Sequence, residues 1–169
     1  FKAPAGYQTS ADIYLKMDAA GNLSQCATSD GTFTAVTGNV LTVTDAQTVF
    51  KLSKTNDDPD PATIAGSTFT LTGVFAGSSD EQTKTLSPTD EGAAGAATLT
   101  GQLIASRDDA DATHTYTLTE TMAPAGYAIS MAPKTLRISA AGTLQERGGT
   151  EGAYTWTDIS GNYLQVADS

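Results

Sequence analysis

Cysteine is nearly absent from this chain: of 169 residues, only Cys26 carries a thiol. An intramolecular disulfide is therefore excluded, and an extracellular domain with this sequence would need another kind of cross-link. No activating His or Lys stands near Cys26 in the sequence, so we expect an ordinary thiol rather than a reactive one.

Basic residues are also scarce, with 9 Lys and Arg against 19 Asp and Glu and a formal net charge of −10. Nucleic acids and anionic membranes are bound by clustered basic residues, so neither is expected as a partner. No apolar run approaches the roughly 18 residues of a transmembrane helix. The N-terminus shows no signal peptide and begins within a repeated motif, which predicts an excised piece of a larger protein without direct membrane contact.

Aromatic residues make up only 7% of the chain, whereas Thr, Ala and Gly are abundant. This composition favours short strands and turns over long helices. Apolar residues alternate with polar ones in seven segments of residues 47–169, which predicts an all-β, Ig-like sandwich. The segments are TVFKLSK, STFTLTGVF, ATLTGQLIA, HTYTLTE, KTLRIS, AYTWTD and NYLQVAD.

The motif Ala-Pro-Ala-Gly-Tyr occurs twice, at residues 3–7 and 123–127. Each copy is followed by a predicted strand, an Ala-Ala-Gly turn, a polar loop, an aromatic strand, a Gly-Asn pair and a closing strand that ends in Asp. A period of about 120 residues is too long for a solenoid and predicts tandem copies of one domain. Residues 1–46 would be the C-terminal part of a preceding copy, and residues 47–169 a complete copy.

Three charged residues stand at the ends of apolar strands: Lys54, Glu120 and Asp168. Each continues the apolar alternation of its strand, as Lys54 does after Phe50 and Leu52. If those faces point into the sandwich, all three charges are buried, and an unpaired buried charge is very costly. The three side chains are therefore expected either to pair or to react.

The stretches FKLSKTNDD, AGSTFTL, YTLTETMAPAGY and LQVAD together resemble the B-type domains of Gram-positive collagen adhesins and the related pilin domains. The stretch that contains the glutamate is similar to the pilin E-box. The resemblance implies a transthyretin-like sandwich in which a lysine of the first strand and an Asn or Asp of the last form an isopeptide bond. By position, Lys54 would supply the amine, Asp168 the acceptor carbonyl, and Glu120 the catalytic carboxyl.

Burial explains why these residue types suit that reaction. A dry interior disfavours charge, so the amine can become a neutral nucleophile and the glutamate a neutral acid. A protonated Glu120 can polarise the acceptor carbonyl and pass a proton to the leaving water. Because folding holds the groups together, the step is a single self-processing event and not enzymatic turnover.

Two residues compete for these roles. Lys51 is a second lysine of the first strand, but it falls on the face opposite Phe50 and Leu52. Asn162 is the alternative acceptor and stands beside a Gly turn before the closing strand.

The first copy offers an acceptor of its own, Asp45, at the end of a closing strand predicted for residues 40–46. The matching glutamate and lysine would precede residue 1, so this copy cannot form its own bond. We expect another polypeptide to complete it.

The resemblance implies a stalk or shaft segment of an extracellular, cell-wall-anchored adhesin or pilin, with neighbouring tandem domains as partners. The alternative is a ligand-binding adhesin module of the same fold that contacts a host matrix protein or a glycan. No enzyme motif or cofactor site is recognised in the sequence. The acidic loops at 56–61 and 107–112 lack the pattern of a dedicated calcium site, so no metal is expected.

Overall fold

Twelve β-strands and two 3₁₀ turns form the regular structure of the computed structural model, which describes residues 3–107 and 114–167. Within these ranges no helix has the length and apolar character needed to cross a membrane. The 3₁₀ turns are Thr37–Asn39 and Ser160–Asn162. In chain order the strands are β1 Tyr14–Met17, β2 Leu23–Cys26, β3 Thr34–Ala35, β4 Val49–Thr55, β5 Thr68–Val74, β6 Glu81–Leu86, β7 Ala97–Thr100, β8 Tyr116–Met122, β9 Lys134–Ile138, β10 Leu144–Thr150, β11 Ala153–Asp158 and β12 Tyr163–Ala167.

Strands β4 to β12 form two sheets that share one core. The larger sheet has the order β11-β10-β9-β8-β5-β6, and the smaller has the order β12-β4-β7. Side chains of both sheets meet between them in a single hydrophobic cluster. The prediction of an all-β sandwich is therefore confirmed.

The core follows from the period-two alternation of the sequence. On β4, Phe50 and Leu52 are fully buried, and on β5 Phe69 and Leu71 are fully buried as well. Successive side chains of a strand point to opposite faces, so every second residue reaches the interior. Each such side chain contributes about 1.5–3 kcal/mol of hydrophobic stabilisation.

The first and last strands of the sandwich lie side by side. β12 pairs with β4 in parallel, with Leu164 opposite Leu52 and Val166 opposite Lys54. Parallel neighbours need a long crossover connection, which here is the whole intervening domain. The two ends of the sandwich therefore meet in the smaller sheet.

Residues 3–46 contain a separate three-stranded sheet of order β1-β2-β3. Its strands pair as β9, β10 and β11 do. Met17 lies opposite Leu23 in the β1–β2 hairpin, and Ile138 lies opposite Leu144 in the β9–β10 hairpin. The β1–β2 and β9–β10 hairpins thus have corresponding registers.

An asparagine in the left-handed region closes each of these hairpin units. Asn162, with a φ of 55°, accepts a hydrogen bond at Oδ1 from the Leu144 N–H at 2.7 Å and donates from Nδ2 to the Gly142 carbonyl at 2.8 Å. Asn39, with a φ of 56°, accepts from the Leu23 N–H at 2.8 Å in the same way. Asparagine tolerates this backbone conformation better than most residues do.

The strand predicted for residues 40–46 is wrong: this segment joins no ladder. Its counterpart in the second copy, β12, is a strand because it pairs with β4. Residues 40–46 pair with no described strand, although the Ala46 carbonyl accepts a hydrogen bond from the Gln8 N–H at 2.9 Å.

Two strands of residues 47–169, β6 and β10, were missed in the sequence, and so was β2 in residues 3–46. β6 follows the polar Ser-Ser-Asp stretch and carries few apolar residues. β10 runs through Gly148 and Gly149, which suggest a loop. A Cβ on Gly149 would meet the Ala153 carbonyl oxygen at 2.3 Å, so the tight β10–β11 hairpin requires glycine there.

Tyr116 ties β8 to its surroundings through a buried hydroxyl. The side chain is fully buried, and its ring lies 5.3 Å from the ring of Phe75. The hydroxyl donates to the Val74 carbonyl at 2.9 Å and accepts from the Ile104 N–H at 2.7 Å. Burial disfavours the phenolate and raises the pKa of Tyr116 to about 12.

We expect Tyr116 to weaken the fold at alkaline pH. The folded-state pKa exceeds the usual value near 10, so the stabilisation is complete below about pH 10 and disappears as the pH rises to about 12. The shift corresponds to roughly 2–3 kcal/mol. Denaturant unfolding across this range should show the stability difference between wild type and Tyr116→Phe shrinking by about that amount. A difference that stays constant with pH would contradict this assignment.

Candidate cross-linking site

β4 carries Lys54 into the interior because this residue continues the alternation of Phe50 and Leu52. Lys54 is 0% exposed, although lysine is among the residues least often buried. Its Nζ lies 5.9 Å from the centroid of the Phe69 ring on β5. The predicted burial of Lys54 is therefore observed.

β8 supplies Glu120 from the opposite sheet, on the same face as Tyr116 and Leu118. Glu120 is 3% exposed. Lys54 Nζ donates a hydrogen bond to Oε2 at 3.1 Å and lies 3.0 Å from Oε1. The predicted proximity of Lys54 and Glu120 is observed, and the pair joins the two sheets across the core.

One oxygen of the Glu120 carboxyl has no aligned hydrogen bond. Oε1 is buried and accepts no aligned hydrogen bond from any described residue, although it is within ion-pair distance of Lys54. An oxygen in this position can accept a hydrogen bond from, or donate one to, a third group that enters the site.

Burying this pair has a high electrostatic cost. Both side chains are 0% exposed, so each loses its hydration. The attraction between two buried ions often fails to recover that cost, and apolar replacements can be as stable. Burial of the Lys54–Glu120 pair therefore need not make the fold more stable than apolar side chains would.

The end of β12 lies next to this pair. Val166 is opposite Lys54, and Ala167 is opposite Thr55. Asp168, the predicted acceptor, follows Ala167 and lies outside the described residues. Its acceptor role therefore remains a prediction.

Asn162, the alternative acceptor, is engaged elsewhere. Both ends of its side-chain amide are bonded to backbone of the turn before β10. It precedes Tyr163, which lies opposite Lys51 near the other end of the β4–β12 ladder. The structure does not bring Asn162 and Lys54 together.

Lys51 and Asp45 are also separate from the site. Lys51 is half-buried on the opposite face of β4, as its parity predicts. Asp45 is half-buried and follows the segment that failed to form a strand, and its Oδ1 is buried without a hydrogen-bond partner among the described residues. No described lysine forms an ion pair with it.

Phe69 lies next to Lys54 and Glu120, but the sequence did not identify it as a residue of this site. It pairs with Glu120 in the β5–β8 ladder, and its ring centroid lies 5.9 Å from the Lys54 ammonium. The alternation of apolar and polar residues in STFTLTG predicts that Phe69 is buried in the sandwich. It does not indicate which charged residue the Phe69 ring faces.

No metal site is evident in the described part of the chain. No three His, Cys, Asp or Glu side chains gather there in a way that could hold an ion. In the acidic loop at 56–61, Asn56 donates a hydrogen bond to the Asp58 carboxylate, so the loop is organised by its own side chains. Most of the loop at 107–112 lies outside the described residues.

The chain matches one family model, described as SpaA: Prealbumin-like fold domain, over residues 48–150. This region runs from the start of β4 to the end of β10 and includes Lys54 and Glu120. The resemblance seen in the sequence is confirmed at the level of the family. No curated protein matches the chain.

Solved structures of a pilus adhesin, SpaC from Lactobacillus rhamnosus GG, are similar to this chain. One SpaC structure is 21% identical with a TM-score of 0.48 and covers 98% of this chain and 23% of that chain. A C-terminal fragment of SpaC is 20% identical with a TM-score of 0.48 and covers 98% of this chain and 72% of that chain. This chain thus spans less than a quarter of the longer SpaC chain.

Proposed function

Because this chain belongs to the family of SpaA prealbumin-like fold domains, we propose that residues 47–169 form a stalk segment of a Gram-positive surface adhesin or pilin. The segment projects from the cell wall and bears load. It is cross-linked internally by an isopeptide bond between Lys54 and Asp168, which Glu120 promotes.

The observation that carries this proposal is the fully buried Lys54–Glu120 pair beside the end of β12. An amine and a carboxyl lie 3.0 Å apart with no exposure to water. The chain continues from Val166, opposite Lys54, to the next carboxyl in sequence, Asp168. We infer that Asp168 is the second acid of this site and the acceptor for Lys54.

The proposed reaction is a condensation within the folded chain. Transfer of a proton from the Lys54 ammonium to Glu120 leaves a neutral amine and a neutral carboxyl. The Nζ lone pair attacks the Asp168 side-chain carbonyl while the protonated Glu120 hydrogen-bonds to its oxygen. A C–N bond forms and the C–OH bond of the neutral Asp168 carboxyl breaks. Glu120 gives its proton to the departing hydroxyl, which leaves as water, and takes up the proton that the attacking nitrogen loses. Pre-positioning of this kind is worth an effective molarity of about 10⁵ M or more.

The bond stabilises the domain by closing a loop that runs from the first strand to the last. By the chain-entropy relation for disulfides, a closed loop of about a hundred residues contributes roughly 5 kcal/mol. Tension that enters at β4 also leaves through the end of β12 by a covalent path, so the two sheets need not separate under load.

We further propose that residues 1–46 are the C-terminal part of a preceding domain of the same type. The hairpin registers and the asparagine that closes each unit support this division. Neighbouring tandem domains of one surface protein are the partners that follow from it.

A ligand-binding role of the same fold has one observation in its favour. Tyr154 on β11 is 49% exposed, and the guanidinium of Arg147 lies 4.3 Å from its ring centroid. An exposed aromatic beside a cation suits contact with a host matrix protein or a glycan. Binding to such ligands that is lost in Tyr154→Ala would support this role.

Intact mass spectrometry tests the cross-link. The folded chain should weigh less than its sequence by the mass of one water molecule, and Glu120→Gln should restore the full mass. Peptide mapping should place the link between Lys54 and Asp168. Loss of ammonia would move the acceptor to an asparagine, and an unchanged mass in the folded wild type would refute the bond.

A further inference from the structure

The hairpin unit formed by β1, β2 and β3 is connected to the sandwich by two chain segments that pair with each other. Tyr7 and Gln47 lie opposite each other in an antiparallel bridge. Two backbone hydrogen bonds of 2.9 Å flank this bridge, from the Gln8 N–H to the Ala46 carbonyl and from the Thr48 N–H to the Gly6 carbonyl. The connection is therefore a two-stranded linker, made of residues 6–8 and 46–48.

This linker decides how freely the hairpin unit can move. Within residues 3–107 and 114–167, β1 to β3 form a sheet of their own and share no ladder with β4 to β12. Relative motion is the default for two units that share only a small interface. A single connecting strand would bend by rotation about its backbone dihedrals, whereas two paired strands bend only if their hydrogen bonds break.

Thr48 fixes the second strand of the linker to the smaller sheet. It is 1% exposed, and its hydroxyl donates a hydrogen bond to the Leu103 carbonyl at 2.7 Å. Its own carbonyl accepts a hydrogen bond from the Gly101 N–H at 2.8 Å. β4 begins at the next residue, so this strand of the linker continues directly into the sandwich.

Gly6 brings the first strand of the linker against the same place. Its φ is 86°, a conformation that residues with a side chain rarely adopt. A Cβ on Gly6 would overlap with the Gly101 carbonyl oxygen. Any side chain at this position would therefore push the first strand of the linker away from the sandwich.

The turn between β9 and β10 holds the first strand from the other side. The Thr9 N–H donates a hydrogen bond to the Ala140 carbonyl at 3.2 Å. A Cβ on Gly142 of the same turn would overlap with the side-chain amide of Gln8, so Gln8 lies directly on this turn. Because β9 and β10 belong to the larger sheet, residues 6–9 contact both sheets at one end of the sandwich.

We propose that the two-stranded linker is a rigid joint that fixes the direction of the hairpin unit relative to the sandwich. Bending at the joint requires the loss of the bonds between its strands and of their bonds to both sheets. The biological meaning of this inference rests on the proposed stalk function, because a segment that projects from a cell surface must resist bending as well as extension.

Distances between two spin labels test the joint. The labels are attached at Lys16→Cys on β1 and Glu81→Cys on β6, which are exposed positions, and Cys26→Ser removes the native thiol. Double electron–electron resonance then gives the distribution of distances between the hairpin unit and the sandwich. A second label pair within the sandwich, at Glu81→Cys and Thr98→Cys, gives the width expected for a rigid body.

The two label pairs should give distributions of similar width in the parent chain. Gly6→Ala should broaden the distribution between the hairpin unit and the sandwich at least about twofold, because units that lose their contact move independently. The distribution within the sandwich should not change. A parent chain in which the first distribution is already as broad as in Gly6→Ala would overturn the proposal.

Gly21→Ala is the matched control. Gly21 has a φ of 81°, close to that of Gly6, but no atom lies within 4 Å of a Cβ built on it. The substitution therefore adds a similar backbone strain without the overlap, and it should leave both distributions unchanged. Equal broadening by Gly6→Ala and Gly21→Ala would overturn the assignment of rigidity to the linker.

Thr48→Val covers the case in which Gly6→Ala disturbs the sandwich itself. Valine keeps the shape of the side chain but removes the hydroxyl that binds the Leu103 carbonyl. It should broaden the distribution between the hairpin unit and the sandwich, because a buried hydrogen bond of the joint is lost. An unchanged width in Thr48→Val, when Gly6→Ala broadens both distributions, would overturn the joint.

Intact mass measured on the same samples separates this inference from the proposed cross-link. A narrow distribution in a chain that has not lost water would refute the cross-link alone. A broad distribution in a chain that has lost water would refute the joint alone.

Discussion

Replacing Lys54 with methionine is expected to lower the thermal midpoint of unfolding by more than about 10 °C. Two losses add up. Glu120 would remain in the core without the polar partner that the Lys54 nitrogen provides, and a buried polar group left without its hydrogen bond costs about 1–3 kcal/mol. The internal bond could no longer form, which removes roughly 5 kcal/mol more. Calorimetry of both chains measures the sum.

Two companion variants separate these losses. Lys51→Met removes a half-buried lysine of the same strand from the opposite face and should change the midpoint little. The double variant Lys54→Met with Glu120→Leu leaves no unsatisfied carboxyl at this site, so it should recover that part of the loss but not the cross-link part. If Lys54→Met behaved like Lys51→Met, neither the buried pair nor the bond would stabilise this fold.

The second large effect is expected at equivalent positions of the β1–β2 and β9–β10 hairpins. Leu136→Ala should cost about 2–5 kcal/mol, because Leu136 is 0% exposed and truncation leaves a cavity. Leu15→Ala at the matching position should change the unfolding free energy by no more than about 0.5 kcal/mol, since that side chain is 51% exposed. Denaturant unfolding of the full chain with each substitution provides the comparison.

The equivalence of Leu15 and Leu136 makes this pair informative. Both are leucines, both lie in the first strand of the same hairpin, and both face the same side of it. Equal costs would mean that the face of β1 is covered in solution by the chain itself. A large loss of unfolding free energy for Leu136→Ala alone would show that the stabilisation comes from the residues that bury Leu136, and not from the leucine side chain by itself.

Alternation in the sequence was sufficient to predict the inner face of the second copy. Phe50, Leu52 and Lys54 share one face of β4, and parity alone placed the lysine with the two apolar residues. The same reasoning placed Glu120 inside on β8. Alternation does not give the distance between two strands, so the contact between Lys54 and Glu120 was expected from the cost of burying an unpaired charge and from the resemblance.

The strand that was predicted wrongly, at residues 40–46, and the strand that was missed, β10, have a common physical explanation. Residues 40–46 have the alternation of a strand but no partner, and a strand is stable only within a sheet. β10 has the opposite properties: its two glycines argue against a strand, but pairing with β9 and β11 on both sides holds it in one. Strand formation at these places depends on neighbours that are distant in sequence.

The pairing of β12 with β4 also sets the order of events as the chain folds. The hairpins β9–β10 and β10–β11 connect residues that are close in sequence, so their closure costs little entropy. β4 and β12 come from opposite ends of the domain, and contacts of that kind form late. Lys54 reaches the end of β12 only at this step. A covalent bond formed there would therefore be present only in domains that have completed their folding.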